Sequence, residues 1–310
     1  MGVSSAFGKF IVPDQNRTSG TGPNIPTQSA DEIAKLTETV RVEVRLCGLP
    51  TFRSVASHVV SEASGPEADA KRIASMVGGD PALAADLLFL ANSSLFGFPA
   101  RIGSLRHAVA VLGVNRVRDL AAAVAMRGLV RDVGPLIRPC WRHSIACAAI
   151  AEEIAPALGA SLDHAFTAGL LHDIGRFGFL KSYASETARI LTSEFAEPDD
   201  VLRAERSILS MDHGAAGGCL IEYWALPEWF DEICRHHHSP VEACDSELLQ
   251  SIKVSCRLAT ALGFASVRFK TSPTYDDMVR SLPEPFHSIA LPPREQLIAK
   301  VNARLEILDC

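Results

Sequence analysis

Six side chains in this chain of 310 residues could hold a metal ion: His143, the adjacent His172 and Asp173, His213, and the adjacent His237 and His238. Imidazole nitrogens with one carboxylate form a mixed donor set that suits Fe, Mn or Zn better than Ca or Mg. A divalent ion held in such a set lowers the pKa of its bound water and polarises a phosphoryl oxygen. The centre of the pattern is Ala168-Gly169-Leu170-Leu171-His172-Asp173-Ile174-Gly175, an almost wholly apolar stretch. An imidazole and a carboxylate side by side in a buried helix need partners, because burying either one unpaired is costly.

The elements around these residues must turn them inward. His143 shares a helix face with Cys147, Ile150 and Ile154, so it points toward a core. His213 follows Asp212, a helix-capping residue type, and aligns with Gly217, Leu220 and Trp224. His237 aligns with Phe230, Ile233 and Cys234 on a helix that begins near Pro227. His238 sits one position round, above Cys234, and His236 is rotated off the face. A core can satisfy one such imidazole with an ordinary hydrogen bond. Several of them with a carboxylate, on successive helices, call for a metal or for one another.

The rest of the chain reads as helical. Residues 1–28 are rich in Pro, Gly, Ser and Thr without a periodic face, and read as a flexible leader. A helix is predicted from Ser29 to about Leu46, with Ile33, Leu36, Val40 and Val44 as its apolar stripe. Two short helices follow, over 51–63 and 67–77. Asp80-Pro81 then has the chemistry of a helix start, Asp as N-cap and Pro at the first helical position. Ser104 and Asn115 can cap two further helices separated at Gly113. Gly134-Pro135 and Pro139 mark a boundary between a first lobe, 29–133, and a second, 134–262, that carries the candidate ligands. A proline-rich tail, 263–310, ends in an amphipathic helix from Arg294 to Leu308. An all-α fold of two helical lobes is also what the composition favours, being 47% hydrophobic, only 6% aromatic, and prominent in Ala and Leu.

Charge and cysteine usage narrow the class. The net charge of −6 argues against general nucleic-acid binding, and Arg101, Arg106, Arg116 and Arg118 read as a solvated face. Eight cysteines without a CxxC pair fit free thiols in a reducing cytoplasm. No apolar run reaches the ~18 residues of a membrane span, and the N-terminus lacks the apolar core of a secretory signal. A soluble cytoplasmic protein is the expectation. Gly214 to Gly218 is glycine-rich but lacks the Lys and the preceding strand of a phosphate loop.

The order His143, His172-Asp173, His213, His237-His238 resembles the ligand order of the HD superfamily of metal-dependent phosphohydrolases. In the first lobe, Leu49-Pro50, Asp80-Pro81-Ala82-Leu83, Asn92-Ser93-Ser94-Leu95-Phe96-Gly97 and Ala108-Val109-Ala110-Val111-Leu112-Gly113 resemble the HDOD domain, the HD-related output domain of bacterial signalling proteins. Trp224-Ala225-Leu226-Pro227 and His237-His238-Ser239-Pro240 are similar to its later motifs. The resemblance covers about residues 40 to 262. It implies a two-lobed helical fold with an HD-like second lobe, and a role as an output or scaffold module with protein partners and room for a nucleotide ligand.

Two departures stand out. The Gly-Tyr-Pro that follows the histidine pair in cyclic-dinucleotide phosphodiesterases of the superfamily is replaced by Ser239-Pro240-Val241. Their closing Asp would fall at Cys256, in Ser255-Cys256-Arg257-Leu258-Ala259, on one face with Ile252 and Ala259. Cys256 reads either as a soft metal ligand or as a small core hydrophobe. The departures favour a non-catalytic regulatory module whose HD-like lobe binds a divalent metal, Fe, Mn or Zn. The alternative is a metal-dependent phosphohydrolase, in which Arg176 and Lys181 either meet phosphate or lie solvated on the surface.

Overall fold

The computed structural model describes residues 30–49, 54–93, 102–130, 134–282, 286 and 289–308. Their architecture is all-α, in two helical lobes, with a single pair of two-residue strands among the described residues. The chain enters through α1 (Ala30–Cys47). The first lobe is α2 (Ser54–Ser64), α3 (Ala70–Gly78), α4 (Pro81–Ala91) and α5 (Leu105–Val130), with α2, α3 and α4 all packed on α5. As predicted, the Asp80 carboxylate accepts hydrogen bonds from the Ala82 and Leu83 N–H groups, 3.0 Å each, and Pro81 opens α4. Asn92 ends that helix. Its Oδ1 accepts from the Ile102 N–H at 2.8 Å and its Nδ2 donates to the Ile102 carbonyl at 3.0 Å, so one side chain ties the end of α4 to Ile102. The rest of the Asn92–Gly97 motif, from Ser94, lies outside the described residues. As expected, two helices meet at Gly113, labelled together as α5, where the chain breaks from helical geometry at φ 79° and ψ 164°, a conformation that glycine adopts without strain.

The second lobe holds α6 (Ile137–Ile154), a 3-10 turn at Ala155–Leu158, α7 (Leu162–Leu171), α8 (Ile174–Ser182), α9 (Ala184–Thr192), α10 (Pro198–Leu209), α11 (His213–Tyr223), α12 (Trp229–His236) and α13 (Glu247–Ala261). Pro139 lies in the first turn of α6, where a missing N–H removes no helical bond. Helix α6 is the axis of the lobe, packed by α7 and α13. It buries nearly every residue from Cys140 to Ala151, Ser144 and His143 included. α1, grouped with the first lobe in sequence, lies against α8 and α11 of the second.

The tail is built into this lobe. β2 (Arg268–Phe269) pairs in parallel with β1 (Glu194–Phe195), and α14 (Tyr275–Arg280) packs on α13. The last helix, α15, spans Arg294–Leu308 as predicted and packs on α6 through buried Leu297, Val301, Leu305 and Leu308. There the Trp141 indole donates to the Leu308 carbonyl at 3.2 Å.

A buried polar knot joins the lobes. The Arg118 guanidinium on α5 donates to Thr167 Oγ1 at 3.2 Å and Asp119 Oδ1 at 3.1 Å, and lies 3.0 Å from His164 Nδ1. Arg118 is therefore not part of a solvated face: it is fully buried. Arg116 is half-buried and pairs with Asp119 and Glu152, Arg106 is exposed, and Arg101 lies outside the described residues.

Candidate metal centre

His172 and Asp173 sit in a two-residue break between α7 and α8 rather than within a helix. The break frees their side chains from the helical spacing, and both turn into the lobe, His172 fully buried. Glycine makes the junction. A Cβ on Gly175 would lie 1.9 Å from the His213 carbonyl oxygen and 2.6 Å from the Gly217 nitrogen, so α8 and α11 meet backbone to backbone. That contact brings His213, first residue of α11, against Asp173.

Four imidazoles share one arrangement. The Nδ1 atoms of His143, His172 and His237 face the carbonyls of Phe264 (2.8 Å), Gly169 (2.7 Å) and Cys234 (2.9 Å), and Nδ1 of His213 faces Glu205 Oε2 at 2.6 Å. Carbonyls and carboxylates only accept, so each Nδ1 carries a proton. In the neutral rings each Nε2 is thereby left with a lone pair, as metal-ligating histidines are. These Nε2 atoms converge. His213 Nε2 lies 3.3 Å from His237 Nε2, and the two lie 3.1 and 3.4 Å from Asp173 Oδ1. Asp173 Oδ2 is 4.0 Å from Nε2 of both His143 and His172. His238, half-buried, stacks edge-on to His213 with ring centroids 4.8 Å apart. All six predicted residues thus come together, and His236 is exposed and turned away.

The donors fall into two groups, each compact enough to hold a metal ion. Asp173, His213, His237 and His238 form one, and His143, His172 and Cys256 the other. Cys256 Sγ lies 3.5 Å from His143 Nε2. Its helix face also packs with Ile252 and Leu249, so the core reading accounts for its burial but not for where the sulfur points.

Arg176 and Glu205 complete the first group. The surface reading of Arg176 fails: it is buried, with Nε donating to Asp173 Oδ2 at 3.0 Å and one Nη to Glu205 Oε1 at 3.1 Å. Its other Nη lies 3.4 Å from His213 Nε2. Lys181, by contrast, is exposed. Burial alone would raise the Asp173 and Glu205 carboxyls. Arg176 and His213 together outweigh it, and hold Asp173 well below the usual carboxylate range and Glu205 below its ordinary value. Burial and Arg176 push the His213 imidazole down, but Glu205 and Asp173 prevail and raise it to about 9. Two negative groups thus face two positive ones. In the second group, burial drives His143 down, His172 well down, and the Cys256 thiol up to about 12. Asp173 opposes burial at the two imidazoles and Arg176 opposes it at the thiol, but burial prevails at all three.

Comparison with known proteins agrees with this architecture. The HDOD domain profile matches residues 49–240, more than half of the chain. The chain belongs to the HDOD family. An HDOD domain protein of unknown function from Geobacter sulfurreducens superposes with a TM-score of 0.68 at 22% identity, over 90% of this chain and 97% of that one. A Marinobacter aquaeolei VT8 protein provisionally named a signal transduction protein gives 0.65 at 20%, over 90% and 67%. A Shewanella amazonensis SB2B protein provisionally named a metal-dependent phosphohydrolase gives 0.61 at 19%, over 88% and 99%. At these identities the likeness speaks for the fold. In sequence, an uncharacterized protein of Treponema pallidum (strain Nichols) is 25% identical over 199 residues, 63% of this chain but only 38% of that protein.

In this HDOD domain Glu205 is the site residue that sequence reading missed. The signal was present: on α10, Glu205 lies four residues from both Val201 and Leu209, and all three are buried. A carboxylate on the apolar face of a helix marks a buried partner, here His213 and Arg176. Arg176 stands one turn beyond Asp173, close enough for the ion pair seen.

Proposed function

We propose that this chain is a non-catalytic regulatory module of bacterial signal transduction, acting through protein partners, whose HD-like lobe holds a divalent metal. The observation that carries the first half is the sealing of the donors. His143, His172, Asp173, His213 and His237 are each no more than 3% exposed, and Arg176 closes over Asp173. A phosphodiester would have to reach the ion to be hydrolysed, and these five side chains are shut off from solvent, with only His238 of the six half-buried.

The metal half rests on the donor set. Four imidazoles with Nδ1 engaged and Nε2 turned to one place are the arrangement expected around an ion. His172 Nε2 is buried with no hydrogen-bond partner, which is costly unless something binds it. His143, His172, Asp173, His213, His237 and His238 would hold the ion, drawn from Fe, Mn or Zn. Once bound, such an ion supplies Lewis acidity and an acidified water. The chain's own residues act differently: Glu205 orients His213, the Gly169 and Cys234 carbonyls orient His172 and His237, and Arg176 neutralises Asp173.

Elemental analysis of the purified protein beside a His172→Ala, Asp173→Ala double variant tests the metal, and turnover of a cyclic dinucleotide with Mn2+ or Fe2+ tests catalysis. Stoichiometric metal that vanishes in the variant, without turnover, is the expected result. Metal-dependent hydrolysis would overturn the non-catalytic reading, and a metal-free wild type the metal reading.

A further inference from the structure

The two donor groups are not equally satisfied as they stand. In the first, Asp173 and Glu205 are matched by Arg176 and His213 through short polar contacts. A cation entering there must compete with a guanidinium already 3.0 Å from Asp173 Oδ2 and 3.4 Å from His213 Nε2. In the second group nothing competes. His172 Nε2 is fully buried and unpartnered, and the polar atoms grouped with it are His143 Nε2 and Cys256 Sγ.

The geometry points to Cys256 as a metal ligand: its sulfur, with Nε2 of His143 and His172, takes the first ion bound, and makes the site select a thiophilic cation such as Zn2+ or Co2+. This inference rests on the reading that the lobe holds a metal, and goes beyond it by naming the ligand, the order of filling and the class of ion. Around a tetrahedral ion with metal–nitrogen bonds of about 2.1 Å and a metal–sulfur bond of about 2.3 Å, neighbouring donors stand about 3.4–3.6 Å apart. Cys256 Sγ and His143 Nε2 are already 3.5 Å apart, and all three donors lie within 4.8 Å of one another. Asp173 Oδ2, 4.0 Å from both imidazole nitrogens, is placed to complete four ligands.

Binding forms the sulfur–metal bond as the thiol proton passes to solvent, with no change of oxidation state. The thiolate then offsets one of the ion's two charges, beside an Asp173 carboxylate whose Oδ2 is shared with Arg176 Nε. A carboxylate at this position would favour harder ions, and sulfur shifts the preference toward Zn2+ and Co2+.

The test uses Co2+ as the probe, added to metal-free full-length protein under reducing conditions. The first equivalent should produce a near-ultraviolet sulfur-to-cobalt charge-transfer band together with the visible bands of a four-coordinate ion. In Cys256→Ser the charge-transfer band should be lost, and Zn2+ affinity by competition should fall about 100-fold or more, the upper end of what removing a supporting group costs. Cys256→Asp should still take up Co2+ but without the charge-transfer band, which guards against a serine variant that fails to fold. Co2+ bound by the wild type without that band overturns the inference and leaves the metal reading intact. A band that survives in Cys256→Ser belongs to another thiol, such as exposed Cys244, and overturns it too. Failure of the wild type to bind either ion overturns both.

Discussion

Gly175→Ala tests the claim that helix packing, rather than any single ligand, builds the centre. The new methyl carbon would lie 1.9 Å from the His213 carbonyl oxygen, 2.8 Å from its carbon and 2.6 Å from the Gly217 nitrogen. All three are backbone atoms, so no side chain can rotate away. Restoring ordinary contact requires α8 and α11 to part by about 1–1.5 Å, which places the substitution at or above the top of the ~1–3 kcal/mol range for overpacking. The same movement carries Asp173 away from His213, stretching a 3.1 Å contact toward 4 Å or more. That weakens a buried charged interaction worth about 1.5–3 kcal/mol. Together the loss should reach about 4 kcal/mol, a large share of a domain's net stability. Urea unfolding followed by circular dichroism reads the first quantity, and metal content of the folded fraction reads the second. A variant within about 1 kcal/mol of the wild type, with its metal retained, would refute the reasoning on both counts.

Two further substitutions separate the electrostatics of the site from those of the lobe junction. Glu205→Gln keeps the volume but removes the charge that holds His213 and Arg176; stability should fall by about 3–5 kcal/mol, as when one partner of a buried pair is removed. An unfolding midpoint equal to the wild type's would mean that the Glu205 contacts to His213 Nδ1, the His213 N–H and Arg176 carry no weight. Asp119 titrates in the other direction, because burial outweighs Arg118, Thr167 and Arg116 and pushes its carboxyl up from 3.8 to about 6. The native state therefore holds this proton more tightly than the unfolded chain, so its stabilising effect is complete below about pH 4 and is lost as pH rises through 6. Against Asp119→Asn, the wild type should lose about 2 kcal/mol or slightly more between pH 4 and pH 7. Parallel stability–pH curves for the two proteins would count against the assignment.

The parts legible in the sequence were those in which one element decides the outcome. His143, His213 and His237 face the core because a 3.6-residue period puts them in line with Ile150, Leu220 and Ile233, all buried. The start of α4 follows from the pairing of Asp80 with Pro81, and the limits of α15 from its own apolar spacing. Where two elements decide, the pattern was silent or misleading. The predicted stripe of α1 faces outward, with Leu36 53%, Val40 45% and Val44 67% exposed, while Val42 and Leu46 are buried. Both faces of that helix are apolar, and only the position of α8 and α11 chooses between them. Glu205 was missed, and Arg176 was read as phosphate-binding or solvated, for the same reason. A charged residue reads as surface until the partner that neutralises it is known, and theirs lie on different helices.

Sealing changes what an ion would do in this family fold. The donors come from α6, the α7–α8 break, α11, the end of α12 and α13, elements that only the folded lobe brings together, so the free energy of binding an ion would be added to that of folding the lobe. Helix α7 carries this constraint outward. It ends at Leu171, just before His172, and carries Thr167, which bonds both Arg118 and Asp119 of α5 in the other lobe. His164, on the same ten-residue helix, meets Arg118 on one side and stacks on Trp229 of α12 on the other. A helix that short moves as one body, so fixing His172 in a ligand set also fixes the polar knot through which the lobes meet. Under the proposed function, that would be a regulatory use for the bound ion.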